Sequence, residues 1–85
     1  MKIFSVFRKR DESGVSGVGH VIDGVIFADG TVVIWWRTDM SSIAIYKKFE
    51  DFKTIHIDSH PQNETMVYMY YIDTTQPTRF WDAIK

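Results

Sequence analysis

The sequence predicts a small, mainly β domain: a compact SH3-like or other small barrel of about six short strands with a short C-terminal helix. Three observations carry this. Residues 2–8, 21–27, 32–36 and 65–73 are runs dense in β-branched and aromatic side chains, the composition that fits a pleated, half-buried surface. Short turn signals such as Asp29-Gly30 and His60-Pro61-Gln62-Asn63 separate the runs. No stretch long enough for a substantial helix carries a sustained 3.6-residue apolar period.

Taken in order, Lys2 to Arg8 reads as a first strand, followed by an exposed charged loop ending at Ser13-Gly14. Val21 to Phe27 and Val32 to Trp36 flank Asp29-Gly30, which predicts a two-residue type I′ hairpin, since both central residues of that turn need positive φ. This register sets Phe27 opposite Val32 and Gly24 opposite Trp35. Val21, Asp23, Val25, Phe27, Val32, Ile34 and Trp36 then share the core face, and Trp35 covers the bare backbone of Gly24. Ile43 to Lys48 alternates as a further strand. Phe49 and Phe52, three apart, predict a helical turn plugging the core. Lys53 to Asp58 alternates with period two, Ile55 and Ile57 on one face, and reads as a strand ending at the His60–Asn63 turn. Thr65 to Asp73 is a long β-type run apolar on both faces. Such a strand calls for a layer on each side, which Phe80 and Trp81 of a C-terminal helix (Thr74 to Lys85, with Pro77 in its first turn) would supply.

The 85 residues make a single domain, 1–85, with a modest core, burying a little over ~60% of the unfolded surface. A hydrophobic share of 45% and an aromatic share of 15% exclude global disorder. The formal net charge is −1, so the whole-chain field attracts no polyanion. The absence of cysteine excludes disulfides, thiolate zinc sites and cysteine nucleophiles, and favours a cytoplasmic setting. No apolar run approaches the ~20 residues that span a bilayer, and none resembles a secretory leader.

Candidate chemistry is sparse. His56, Asp58 and His60 would project from one strand face at i, i+2 and i+4, a weak metal-ligand set that Pro61 disrupts. Against it stands a solvated polar strand face. Gly14, Gly17 and Gly19 lack the order and context of a phosphate-binding loop and read instead as freedom for a bulge near Gly17 or Gly19. Arg8-Lys9-Arg10 and Lys47-Lys48, interleaved with aromatics, allow an alternative reading as a small-barrel nucleic-acid binder. Met66 to Ile72 and the face around Trp35 hold more aromatic and Met surface than one small core can bury, which points to a protein partner or self-association. The leading expectation is a non-enzymatic protein-binding module without cofactor, contacting its partner through Trp35, Tyr68 and Tyr70.

The stretch from Gly17 to Val33, with Ser42–Tyr46, Glu50–Phe52 and Ile55-His56, resembles small phage and bacterial proteins that share a G-x-G-x-V-x-[DE]-G-V-x-F-x-D-G-x-V-V pattern. The resemblance implies a phage or mobile-element origin and a cytoplasmic setting in bacteria. It also implies an inhibitor or accessory role, acting on a host or defence protein. It supplies no functional residues.

Overall fold

The computed structural model describes residues 1–10 and 18–72. Five strands form one antiparallel sheet: β1 (Lys2–Arg8), β2 (Gly19–Ile26), β3 (Val32–Trp36), β4 (Ile43–Tyr46) and β5 (Thr65–Tyr71). Their order across the sheet is β4-β3-β2-β1-β5. Between β4 and β5 the chain forms α1 (Phe49–Lys53), which runs into a π turn (Thr54–Asp58), and then a 3-10 turn (Pro61–Asn63). Among the described residues β4 and β5 are edges that do not meet, so this sheet is open rather than a closed barrel. The predicted C-terminal helix, with Phe80 and Trp81, lies outside the described residues.

The sheet buries one face. Phe4, Val6, Ile22, Val32 and Ile34 project to the side covered by α1, and Phe52 plugs the space over them, fully buried. Phe49 and Phe52 pack on Phe4 with ring centroids 5.3 and 5.6 Å away. The helical turn expected from their spacing is thus present and serves as the core's lid.

The β2–β3 hairpin corrects the predicted register by one residue. The Phe27 amide donates to the Thr31 carbonyl and the Gly30 amide to the Phe27 carbonyl. Gly30 has φ +93°, whereas Asp29 is not in the positive-φ region. This is a three-residue loop, a type I turn closed by a left-handed glycine, and not the type I′ turn. The Asp29 carboxylate accepts from the Thr31 amide across it. Gly24 therefore pairs with Ile34 and Asp23 with Trp35. A shift of one turns the β2 side chains from Ile22 onward over, while Val21 stays in the core as expected. Ile22, Gly24 and Ile26 face the core, while Asp23, Val25 and Phe27 face away. Trp35 does not cover Gly24. A Cβ there would sit 2.2 Å from the Phe4 ring, so the glycine makes room for the core's largest side chain.

The expected bulge near Gly19 is present, and one further expectation changes. Between Val6 and Phe7 the β1–β2 register slips, with Val6 opposite Ile22 and Phe7 opposite His20. The bulge thus falls at Val21, two residues beyond Gly19, which itself has φ +82°; Gly14 and Gly17 lie outside the described residues. The Lys53–Asp58 strand does not form. Those residues continue the helix as a π turn, which leaves Ile55 exposed while Ile57 packs against the core.

Candidate protein-binding face

The side of the sheet away from α1 is left open among the described residues. Across it run two rows of paired positions: Tyr68, Ser5, Asp23, Trp35 and Ile43, then Tyr70, Ile3, Val25, Val33 and Ile45. The sequence-predicted contact residues Trp35, Tyr68 and Tyr70 all lie on this face, exposed by 46, 48 and 53%. Ile43 and Ile45 add exposures of 69 and 70% at its β4 side. A depression of about 310 Å³ lies between Ile3, Ser5, Val25, Val33, Trp35 and Ile43. Its lining is apolar except for Ser5 and Asp23.

The charge on this face is internally paired. Asp23 Oδ1 accepts from Ser5 Oγ at 2.9 Å and contacts His20 Nε2 at 2.6 Å, and Oδ2 accepts from Arg37 at 3.0 Å. Partial burial pushes the Asp23 carboxyl up, but the hydrogen bonds from Ser5, His20 and Arg37 and the His20 charge together hold it below its ordinary value. Arg37 also lies over the Trp35 ring at 5.5 Å. His20 stacks on Phe7 at 4.6 Å, and Phe7 meets Tyr68 edge-on at 5.3 Å. The hub thus ties together aromatics of β1, β3 and β5 across the face. Ser5 bonds to the carboxylate and not to the imidazole, so the hub does not have the serine–histidine–aspartate order of a hydrolase triad.

The family model for the Acb5 phage protein matches residues 1–70. The chain belongs to the Acb5 phage protein family. The matched span takes in β1 to β4, α1 and β5 up to Tyr70, so the open face lies within it. Comparison with curated proteins and with solved structures found no match.

The other candidate residues of this Acb5 family member fall apart in space. Arg8 is buried, 4% exposed, on the helix side. It donates to the His56 carbonyl at 3.0 Å and sits 5.5 Å over the Trp36 ring. Lys9 and Arg10 leave the same end of β1, their amides bonded to the Asn63 carbonyl. Lys47 and Lys48 follow Tyr46, which pairs with Val32 and hence lies toward Ile26 and Lys2 at the opposite end of the sheet. The two basic clusters therefore do not share one groove. His56 is turned inward, its Nε2 sharing a 2.6 Å hydrogen bond with the Tyr46 hydroxyl and its ring packed against Trp36 and Phe52. Asp58 pairs with Lys53 at 3.0 Å. With the strand replaced by a π turn, His56, Asp58 and His60 lose their common face, and no group of three metal-ligating side chains occurs among the described residues. No helix of the described residues is long and apolar enough to cross a membrane.

The Ser5–Asp23–His20–Arg37 hub was only partly visible in the sequence. His20 stands beside Asp23 in the chain, but the bulge at Val21 is what sets both on one face, and Ser5 and Arg37 join only through pairing.

Proposed function

We propose that this phage protein is a non-enzymatic protein-binding module that docks a host or defence protein on its open sheet face. The observation that carries the reading is the composition of that face. Aromatic and branched apolar side chains of β1, β3, β4 and β5 (Ile3, Trp35, Ile43, Ile45, Tyr68 and Tyr70) lie exposed in two adjacent rows, and the charges of Asp23 and Arg37 beside them pair with each other, with His20 alongside. An exposed apolar patch of this extent on a soluble domain marks an interaction surface, and Trp and Tyr are the residues that anchor such surfaces. Fixing these side chains through the Asp23 hub lowers the entropy cost of ordering them on binding. The separation of the basic clusters to opposite ends of the sheet favours protein docking over nucleic-acid binding.

The test is a tagged pull-down from host lysate, with and without nuclease, using the wild type and Trp35→Ala, Tyr68→Ala and Tyr70→Ala. A discrete protein that survives nuclease and is lost from the folded variants is expected, each anchor costing about 2 kcal/mol. Capture of nucleic acid alone, or retention of the partner by a folded triple variant, overturns the reading.

A further inference from the structure

We infer that β5 pairs with the β5 of a second copy, antiparallel about a two-fold axis at Tyr68, joining two sheets into one of ten strands. The two edges of the sheet are unequal. Proteins blunt edge strands by making them short, by lysine and proline, or by bulges. β4 has such devices, with only four residues and Lys47-Lys48 immediately following. β5 has none: seven residues, Thr-Met-Val-Tyr-Met-Tyr-Tyr, without charge, proline or glycine. Its register with β1 runs unbroken from Thr65 to Tyr71. Among the described residues no strand covers its outer side.

The sequence of β5 also suits its own reversal. The one two-fold register that pairs all seven residues centres on Tyr68. It sets Tyr68 opposite its copy, Met66 opposite Tyr70 and Val67 opposite Met69. These are aromatic and sulfur–aromatic or aliphatic pairs of the stabilising kind, with no like charges facing each other. A two-fold contact is closed, and the protected β4 edge stops further growth, so the product is a dimer and not a filament. Seven residues per copy make a small contact, which predicts reversible, concentration-dependent association.

The test is independent of any partner. Sedimentation of the wild type over a dilution series should move from the 10.0 kDa monomer to twice that mass. Because the chain has no cysteine, register can be read by oxidation of introduced thiols. Directly opposed residues have Cβ atoms about 4.5–5.5 Å apart, within reach of a disulfide. Tyr68→Cys should therefore cross-link to its copy. Met66→Cys alone, whose copies lie roughly 14 Å apart along the strand, should be slower by about tenfold or more, and Met66→Cys with Tyr70→Cys should recover the rate. Trp35→Ala should dimerise as the wild type does. A wild type that stays monomeric at high concentration, equal cross-linking at Met66 and Tyr68, or loss of the dimer in Trp35→Ala overturns the inference. The last result would leave docking on the open face intact.

Discussion

Gly24→Ala isolates the contact on which the packing of the sheet turns. The added Cβ would lie 2.2, 2.4 and 2.7 Å from three atoms of the Phe4 ring, where ordinary contact begins near 3.5 Å. The ring has no easy retreat. Phe4 is 1% exposed, with Phe49 and Phe52 packed against it. Gly24 carries no positive φ, so backbone strain plays no part, and reduced unfolded-state freedom would by itself favour alanine by about 0.4–1 kcal/mol. Overpacking of a dense core costs about 1–3 kcal/mol, and three simultaneous overlaps place this site at the upper end. A net loss of about 2 kcal/mol lowers Tm by roughly 8–16 °C in a domain of this size. The assay is a double-mutant cycle by thermal and urea unfolding with Phe4→Leu, whose smaller side chain vacates the overlap. The glycine substitution should cost at least about 1 kcal/mol less in that background. A neutral Gly24→Ala, or an equal cost with and without the Phe4 ring, would refute the reasoning.

Other expectations follow from the same structure. Folded His56 is held below its ordinary value of 6.5, first by burial and then by the nearby charges of Arg8 and His60. Above 6.5 neither state binds that proton and stability is full; below it the unfolded chain protonates first, so stability declines until pH passes the folded value. Urea midpoints from pH 8 to 5 should show this decline, and His56→Gln should flatten it. Asp23, held below 3.8, contributes stability that is present above 3.8 and lost as pH falls through its folded value; Asp23→Asn should remove that acid dependence. Arg8→Met should cost about 2 kcal/mol in chemical unfolding through the lost bond to the His56 carbonyl. Glu64 sits at φ +49° after the 3-10 turn, so Glu64→Gly should raise Tm by a few degrees as left-handed strain of about 1 kcal/mol is relieved.

The parts of this fold legible in the sequence are those decided locally. Strand-forming runs at Lys2–Arg8, Val32–Trp36 and Met66–Tyr71 declare themselves by β-branched and aromatic content, and Phe49 and Phe52 declare a helical turn by spacing alone. The errors arise where two local solutions are nearly equal and a distant contact selects one. Asp29-Gly30 suits either a type I′ turn or a type I turn closed by a left-handed glycine. The choice falls to Phe4, two strands away in sequence, which needs a residue without Cβ opposite it on the core face. Lys53 to Asp58 alternates as a strand would, but Phe52 must be followed by a turn tight enough to bring His56 onto Trp36 and Tyr46, and only the helical continuation does that.

Trp35, Tyr68 and Tyr70 are legible as exposed positions of the open face, while the hub beside them is not. Their strands hold more apolar surface than a small core can take, whichever register is adopted. In the predicted register Asp23 falls on the core face, where a carboxylate would be costly. The one-residue shift brings it to the open face, and the bulge at Val21 delivers His20 to the same side. The bulge and the three-residue loop thus jointly place a paired carboxylate at the centre of an otherwise apolar surface. If that carboxylate serves to orient the aromatics rather than to meet a ligand, Asp23→Asn should keep Trp35 exposed yet loosen it, because Arg37 would lose its ionic anchor over the ring. Trp35 should then show faster ring motion in time-resolved anisotropy together with weaker partner capture. Unchanged anisotropy with lost capture would instead make Asp23 a direct contact.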